Sequence, residues 1–212
     1  MLFEAGQRVV FIGDSITDCG RRDAHAPYGN GYMSLVRAFI TARRPDVPLT
    51  WVNRGISGNT VRDLAARWER DVIEQRPDWL SVMIGINDVW RAFSDRAAEA
   101  VPLDEYEETL RTLLRRAVDA TGCRLVLADP YIIEPDRGEP QRAESDRYTT
   151  VVAKLAGEFG ALHVATQQAF DDVLACSPPS RWAADRIHPE LPGHAVIADA
   201  FIRAVLEPPV VG

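Results

Sequence analysis

The sequence predicts an α/β protein, a single doubly wound domain over residues 1–212 in which helices cover both faces of a parallel sheet. Short apolar segments rich in valine, leucine and isoleucine end abruptly at glycine or polar residues, as buried strands do. Longer segments with helical spacing of apolar residues alternate with them. Neither a repeat nor a linker interrupts the alternation, and 212 residues suit one domain.

Five strands are predicted from these short apolar segments. The first covers residues 9–12, which stop at Gly13 and are typical of a buried strand rather than a helix. The other predicted strands cover residues 49–53, 79–84, 124–128 and 162–165.

Helices are predicted where apolar residues recur at the helical spacing. They cover residues 31–43, 61–75, 103–120, 143–159, 167–174 and 192–206. Asn59 or Thr60 is placed to cap the second helix, and Gly122 to end the third. The segment after the third strand, which contains Trp90 and Phe93, is predicted to be a long loop.

Composition excludes several classes of function. Acidic residues outnumber basic ones, 31 to 24, and no basic stripe with interleaved aromatic residues appears, so we expect no nucleic-acid partner. No apolar run is long enough to span a membrane, and the N-terminus lacks a signal-peptide pattern. The scattered Cys19, Cys123 and Cys176 suit a reduced protein, so a cytoplasmic location is expected.

Ser15 is the candidate nucleophile because it follows Gly13-Asp14 just beyond the carboxyl end of the first strand. Open α/β sheets bind ligands at that edge. The elbow motif of α/β-hydrolases is absent, since Thr17 stands where its second glycine would be. A nucleophilic serine also needs a base and donors for an oxyanion.

Two further strands end in similar polar turns, which contain Gly58 and Asn87. Because parallel strands share one carboxyl edge, these turns are expected to converge on Ser15. The backbone N–H groups of Ser15 and Gly58 and the Asn87 amide are suitable oxyanion donors. The alternative is that Gly58 only forms a turn and Asn87 only caps a segment.

His188 is the candidate base among the four histidines. Asp185 lies three residues before it in the same turn and could orient its imidazole. His163 lies in an apolar strand and is predicted to be a core residue, whereas His194 is expected to pack or cap within the last helix. The spacing of Asp185, His188 and His194 matches no common zinc pattern, so neither a metal nor another cofactor is expected.

Together these motifs resemble those of the SGNH (GDSL) hydrolases. Gly-Asp-Ser, a glycine turn after the second strand, Gly-x-Asn-Asp and Asp-x-x-His occur in that family's order. Longer strings at 11–20, 53–64 and 83–91 are most similar to its intracellular bacterial acetylxylan esterases. One departure is that Ala184, rather than a tryptophan, precedes Asp185.

The resemblance implies a three-layer α/β/α sandwich with a five-stranded parallel sheet. It also implies a serine esterase that removes acetyl groups from xylo-oligosaccharides and forms a homo-oligomer. Ser15 would be the nucleophile, His188 the base and Asp185 its orienter, with Gly58 and Asn87 as oxyanion donors.

Three aromatic residues at the strand ends, Trp90, Phe93 and Tyr131, could stack on sugar rings, or they could simply cover the core. Two other functions stay open at this point. One is a lipid-directed esterase or lysophospholipase of the same fold, and the other is a glycan-binding protein without catalysis.

Overall fold

Five strands form one sheet: β1 (Arg8–Gly13), β2 (Thr50–Asn53), β3 (Trp79–Met83), β4 (Arg124–Ala128) and β5 (Leu162–Val164). Their order is β2-β1-β3-β4-β5, and every pairing is parallel. This computed structural model describes residues 2–206, and Met1 and residues 207–212 lie outside them. The predicted α/β class with five parallel strands is confirmed.

Helices connect the strands and cover the sheet. They are α1 (Ser15–Asp18), α2 (Tyr32–Arg43), α3 (Val61–Trp68), α4 (Ile86–Trp90), α5 (Leu103–Thr121), α6 (Pro140–Phe159), α7 (Thr166–Leu174) and α8 (Leu191–Leu206). Over residues 2–206, none of them combines the length and apolar character needed to cross a membrane.

The interior strand β1 is buried on both faces because helices lie on both sides of the sheet. Val9 and Phe11 belong to one apolar cluster with side chains of α2 and α8. Val10 and Ile12 belong to a second cluster with side chains of α3, α5 and α6. Since alternate strand residues point to opposite faces, this division produces a three-layer α/β/α sandwich.

The strand order places a crevice between β1 and β3. The chain passes from β1 outward to β2 and then returns to β3 on the other side of β1. Open α/β sheets bind ligands at the carboxyl ends of the strands where the order reverses in this way. Ser15 follows β1 and Asn87 lies just after β3, so two predicted site residues flank this crevice.

The largest differences from the sequence prediction lie after β3 and at the end of α3. The expected loop after β3 contains α4 and short 3₁₀ turns at Arg91–Phe93 and Ala97–Glu99, which are too short to show a periodic pattern. The expected helix at 61–75 is α-helical only as far as Trp68. It then widens into a π-helix at Glu69–Ile73, where the Glu74 N–H bonds the Glu69 carbonyl over 2.9 Å.

The prediction that His163 is a core residue is wrong. It lies on β5, which is an edge strand, and about 31% of its side chain is exposed. Its Nε2 lies 2.6 Å from Oδ1 of the buried Asp129. An edge strand has a neighbour on one side only, so apolar residues around His163 do not imply that it is buried.

Candidate active site

Ser15 stands at the start of a single helical turn directly beyond β1. Gly13 ends β1, and a Cβ at that position would overlap the Met83 carbonyl on the neighbouring strand. Asp14 then caps the turn, because its Oδ1 accepts a hydrogen bond from the Ile16 N–H over 3.0 Å. The close approach of β3 and the aspartate cap therefore set the position of the serine.

A continuous hydrogen-bonded array joins Ser15, His188 and Asp185. Ser15 Oγ lies 2.9 Å from His188 Nε2, and His188 Nδ1 lies 2.6 Å from Asp185 Oδ2. The other carboxylate oxygen, Asp185 Oδ1, accepts the backbone N–H groups of His188 over 2.8 Å and Ile187 over 3.0 Å. An ionised Asp185 accepts Nδ1–H, which leaves the Nε2 lone pair of a neutral imidazole facing the serine hydroxyl.

The loop that carries His188 is anchored to the segment that follows β4. The Ile133 N–H donates to the Arg186 carbonyl over 2.9 Å, and the Tyr131 hydroxyl donates to the Ile187 carbonyl over 3.3 Å. Arg186 has a φ of 69°, in the left-handed region that a non-glycine residue rarely adopts. These contacts hold a costly backbone conformation between the aspartate and the histidine.

The Asp185 carboxyl has a pKa below its ordinary value. Burial by itself would raise this pKa, but hydrogen bonds from the His188 imidazole and from two backbone N–H groups lower it further than burial raises it. Asp185 is therefore negatively charged at neutral pH and can stabilise an imidazolium. More than half of each side chain is exposed, 56% for His188 and 54% for Asp185, so a substrate can reach the array directly.

Gly58 lies in the turn after β2 and is half-buried. Its φ is 80°, and no atom of residues 2–206 lies within 4 Å of where a side chain would project. Its carbonyl accepts a hydrogen bond from Nη2 of the buried Arg91 over 2.6 Å. Among the described residues, its N–H has no hydrogen-bond acceptor. An N–H without an acceptor in the protein is available as an oxyanion donor.

The Asn87 side chain is held against the same turn. Its Nδ2 donates to the Asn59 carbonyl over 3.0 Å, which uses one of the two amide hydrogens. The turn after β2 is also joined to β1, because the Ile56 N–H donates to the Gly13 carbonyl over 3.1 Å. The turns that carry Ser15, Gly58 and Asn87 are thus linked at one sheet edge, while the catalytic roles of these residues remain predictions.

Two buried carboxyls at this edge were not identified from the sequence. Asp14 and Asp88 each have a pKa raised to about 7, mainly because burial disfavours the charged form. Asp88 Oδ1 accepts the Val61 N–H at the start of α3 over 3.0 Å. Their positions next to Ser15 and Asn87 were the only signal in the sequence that could have identified them. A sequence motif does not show whether a carboxyl is buried.

The three aromatic candidates are in different environments. Trp90 and Phe93 are exposed, by 36% and 46%, and remain candidates for sugar contact. Tyr131 is fully buried, with its ring stacked on Phe170 at a centroid distance of 4.4 Å. The suggestion that Tyr131 stacks on a sugar is therefore wrong, because it covers the core and supports the His188 loop instead.

His194 packs inside the protein, in agreement with the expectation for the last helix. Its Nδ1 accepts the Tyr32 N–H over 3.3 Å, and its Nε2 lies 3.4 Å from Cys19 Sγ. The pKa of His194 is lowered to about 4, mainly by burial and to a smaller extent by repulsion from a protonated His188. His194 is therefore neutral at physiological pH. Over residues 2–206, no three His, Cys, Asp or Glu side chains gather closely enough to hold a metal ion.

Comparison with known proteins shows a family match over most of the chain. A model of the GDSL-like lipase/acylhydrolase family matches residues 11–196. An acetylxylan esterase of Geobacillus stearothermophilus is 44% identical over 212 residues, which covers 97% of this chain and 96% of the relative. The uncharacterized lipoprotein YqeF of Bacillus subtilis (strain 168) is 33% identical over 81 residues, or 38% of this chain and 31% of the relative.

Solved structures show the same similarity in three dimensions. The crystal structure of Axe2, an acetylxylan esterase from Geobacillus stearothermophilus, matches with a TM-score of 0.93 at 44% identity, covering 97% of this chain and 96% of that one. LAE5, an α/β hydrolase enzyme from the metagenome of Lake Arreo, Spain, matches with a TM-score of 0.92 at 45% identity and covers 97% of each chain. Catalytic mutants of Axe2 with a serine, an aspartate or a histidine replaced by alanine are also similar.

Proposed function

This chain belongs to the GDSL-like lipase/acylhydrolase family, and from that membership we propose that it is a serine esterase acting on O-acetyl esters of carbohydrates. Acetylated xylo-oligosaccharides are the proposed substrate class. The support for this choice is 44% identity, over 97% of the chain, to a relative described as an acetylxylan esterase.

The observation that carries the chemistry is the array of Ser15, His188 and Asp185. The two side-chain contacts of 2.9 Å and 2.6 Å support the proposed roles of Ser15 as nucleophile, His188 as base and Asp185 as its charged orienter. This geometry supports acyl transfer, because the serine hydroxyl has a base to accept its proton and the imidazole has a carboxylate to orient it.

Acylation begins when the Ser15 Oγ attacks the acetyl carbonyl carbon. The hydroxyl proton moves to His188 Nε2 as the new C–O bond forms, and the resulting imidazolium is stabilised by Asp185. Negative charge develops on the former carbonyl oxygen. The N–H groups of Ser15 and Gly58 and the amide of Asn87 are proposed to stabilise that charge.

The intermediate then collapses and expels the sugar oxygen, which takes the proton from His188 Nε2. An acetyl group remains bonded to Ser15 Oγ. Water next gives a proton to His188 and attacks the acetyl carbon through the same oxyanion geometry. Cleavage of the bond to Oγ returns the proton to Ser15 and releases acetic acid, which ionises at neutral pH.

We also propose that the protein is a cytoplasmic homo-oligomer. The three cysteines are unpaired, which suits a reducing compartment. The homo-oligomer is proposed from the resemblance to the intracellular bacterial acetylxylan esterases. Light scattering coupled to size-exclusion chromatography measures the mass, and a monomer at all concentrations would contradict the oligomer.

The test of the proposed function is acetate release from acetylated xylo-oligosaccharides. Acetyl, butyryl and octanoyl nitrophenyl esters are assayed in parallel, and Ser15→Ala serves as the inactive control. We expect acetyl substrates to be preferred and the variant to lose almost all activity while keeping its circular dichroism spectrum.

The other outcomes separate the alternatives. A preference for octanoyl esters would move the substrate to lipids while retaining the serine chemistry. Equal inertness of wild type and Ser15→Ala, with no labelling by an organophosphate probe, would reject catalysis and favour a binding protein.

A further inference from the structure

Arg67 is a buried arginine on α3 whose guanidinium makes four short hydrogen bonds. Nη2 donates to the Gly13 carbonyl over 3.0 Å, and Nη1 donates to the Arg54 carbonyl over 2.7 Å. Nε donates to the Asn59 side-chain oxygen over 2.7 Å. Nη1 also pairs with Asp71 over 2.9 Å, and only 8% of the arginine side chain is exposed.

These bonds connect the parts of the backbone that hold the candidate nucleophile and oxyanion donors. Gly13 is two residues before Ser15, at the end of β1. Arg54 and Asn59 lie on either side of Gly58, at the two ends of the turn after β2. The carbonyl of the same Asn59 accepts the Asn87 amide. One side chain therefore bonds two of the three turns directly and reaches the third through Asn59.

The counter-ion of Arg67 lies in the π-helix that follows α3. Asp71 belongs to the π-helical turn Glu69–Ile73 and is itself buried, with 4% of its side chain exposed. Its carboxylate balances the charge of the guanidinium through a contact with Nη1. The other N–H groups of Arg67 are left to bond the turns. A buried charge without such a partner is costly, so the pair allows an arginine to occupy this position.

We infer that Arg67 is a positioning residue for ester hydrolysis, holding the turns of Ser15, Gly58 and Asn87 in the spacing that the oxyanion requires. This inference rests on the proposed esterase function. Arg67 does not touch the reacting atoms. It acts through the Gly13 and Arg54 carbonyls and the Asn59 side chain, which it bonds.

The guanidinium group is suited to this role by its shape. It is planar and presents five N–H donors in fixed directions, so it can bond several acceptors on different chain segments at once. A lysine ammonium carries the same charge, but as a compact point charge it cannot make all of these bonds from one position. Comparison of the two side chains therefore separates charge from positioning.

The decisive variant is Arg67→Lys, assayed with a nitrophenyl acetate substrate well below its unfolding temperature. We expect kcat to fall by about 10²-fold, because displaced oxyanion donors stabilise the transition state less well. The rate is expressed per active site, and active sites are counted by titration with an organophosphate. KM should change by less than about threefold, since ground-state binding is little affected. The shape of the pH profile should stay as in the wild type, because His188 and Asp185 are not contacted.

A second variant guards against a failure of Arg67→Lys to fold. Asn59→Ala removes the acceptor of Nε but keeps the buried Arg67–Asp71 pair and the Asn59 carbonyl. We expect it to fold and to lower kcat by about tenfold, again with little change in KM. The matched control is Arg70→Met, which removes a second arginine bonded to Asp71 that is 68% exposed. This control should keep the wild-type kcat.

Other results would overturn the inference. If folded Arg67→Lys has the wild-type kcat, a positive charge at this position is sufficient for ester hydrolysis. If Asn59→Ala has the wild-type kcat, the contact of Arg67 Nε with Asn59 is not needed for it. An equal loss in Arg70→Met would assign the effect to helix stability. If wild type and Ser15→Ala are both inert, the proposed function itself fails, which is a different outcome from an active wild type with active Arg67 variants.

Discussion

Arg186 Nη2 donates to Glu139 Oε2 over 2.9 Å, which ties the loop of the candidate base to the start of α6. Glu134 also pairs with this guanidinium, at 3.1 Å. Arg186 stands between Asp185 and His188 in the chain, and its left-handed backbone is unfavourable for a residue with a side chain. The ion pairs therefore stabilise a strained residue within the candidate catalytic loop.

Two replacements of Arg186 distinguish the energetic cost of its left-handed backbone from the stabilisation that its ion pairs provide. Arg186→Ala and Arg186→Gly both lose the pairs, but only glycine relieves the positive φ. We expect the glycine variant to be more stable than the alanine variant by about 1 kcal/mol in the free energy of unfolding, measured by urea denaturation. Equal stabilities would mean that the left-handed backbone is not retained once the pairs are absent.

Asp185→Asn should reduce kcat by about 10²-fold or more, because a neutral amide cannot stabilise the imidazolium formed during acylation. The measurement is the steady-state rate on an acetyl ester at neutral pH. Asp199→Asn is the matched control, since Asp199 is a carboxylate of similar exposure on α8, 60% against 54%. A comparable loss in both variants would argue against a specific role for Asp185.

Asp88 should make the stability of the fold depend on pH. Burial raises the pKa of its carboxyl from 3.8 to about 7, so the folded state binds a proton that the unfolded chain releases at lower pH. The stabilisation of the folded state by this bound proton is complete below about pH 4 and is lost as the pH rises to about 7. Asp88→Asn keeps an acceptor for the Val61 N–H but cannot ionise.

We expect the free energy of unfolding of the wild type to fall relative to Asp88→Asn over this interval, by on the order of 3 kcal/mol. Denaturant titrations at a series of pH values provide the measurement, with Asp136→Asn as an exposed-loop control. Parallel curves for wild type and Asp88→Asn would show that the buried carboxyl does not titrate in this range.

Trp90→Ala and Phe93→Ala should weaken the binding of sugar substrates. An aromatic ring that stacks on a sugar loses its contact area on truncation, so KM for acetylated xylo-oligosaccharides should rise by about tenfold. KM for nitrophenyl acetate should stay near the wild-type value, because that ester has no sugar. Phe39→Ala is the control, with an exposure of 48% against 46% for Phe93. An equal change for both substrates would argue against a sugar contact.

Local patterns predicted most of the sheet. The strand at 124–128 has the predicted bounds, because a short apolar segment between Gly122 and Asp129 has few other stable conformations. α6 begins at Pro140 rather than at 143, because Glu139 caps it through the Arg142 N–H. The π-helix was not predicted, since Asp71 is held there by its contact with Arg67, which periodicity does not report.

The environments of single side chains were less predictable. Tyr131 and Trp90 both follow strands and are both aromatic, yet one is fully buried and the other is 36% exposed. His163 has apolar neighbours in sequence but lies at the sheet edge. Burial depends on which element packs over a residue, and that is a property of the whole arrangement.

The sequence by itself determined the alternation of strands and helices and the residue types at the strand ends, because both depend on local spacing and turn chemistry. Only the tertiary structure decided that Ser15 Oγ meets His188 Nε2 at 2.9 Å across 173 residues of sequence. It also decided that Arg67 joins the turns around them. Such contacts depend on the strand order and on how the last loop packs against β1, and no local segment contains that information.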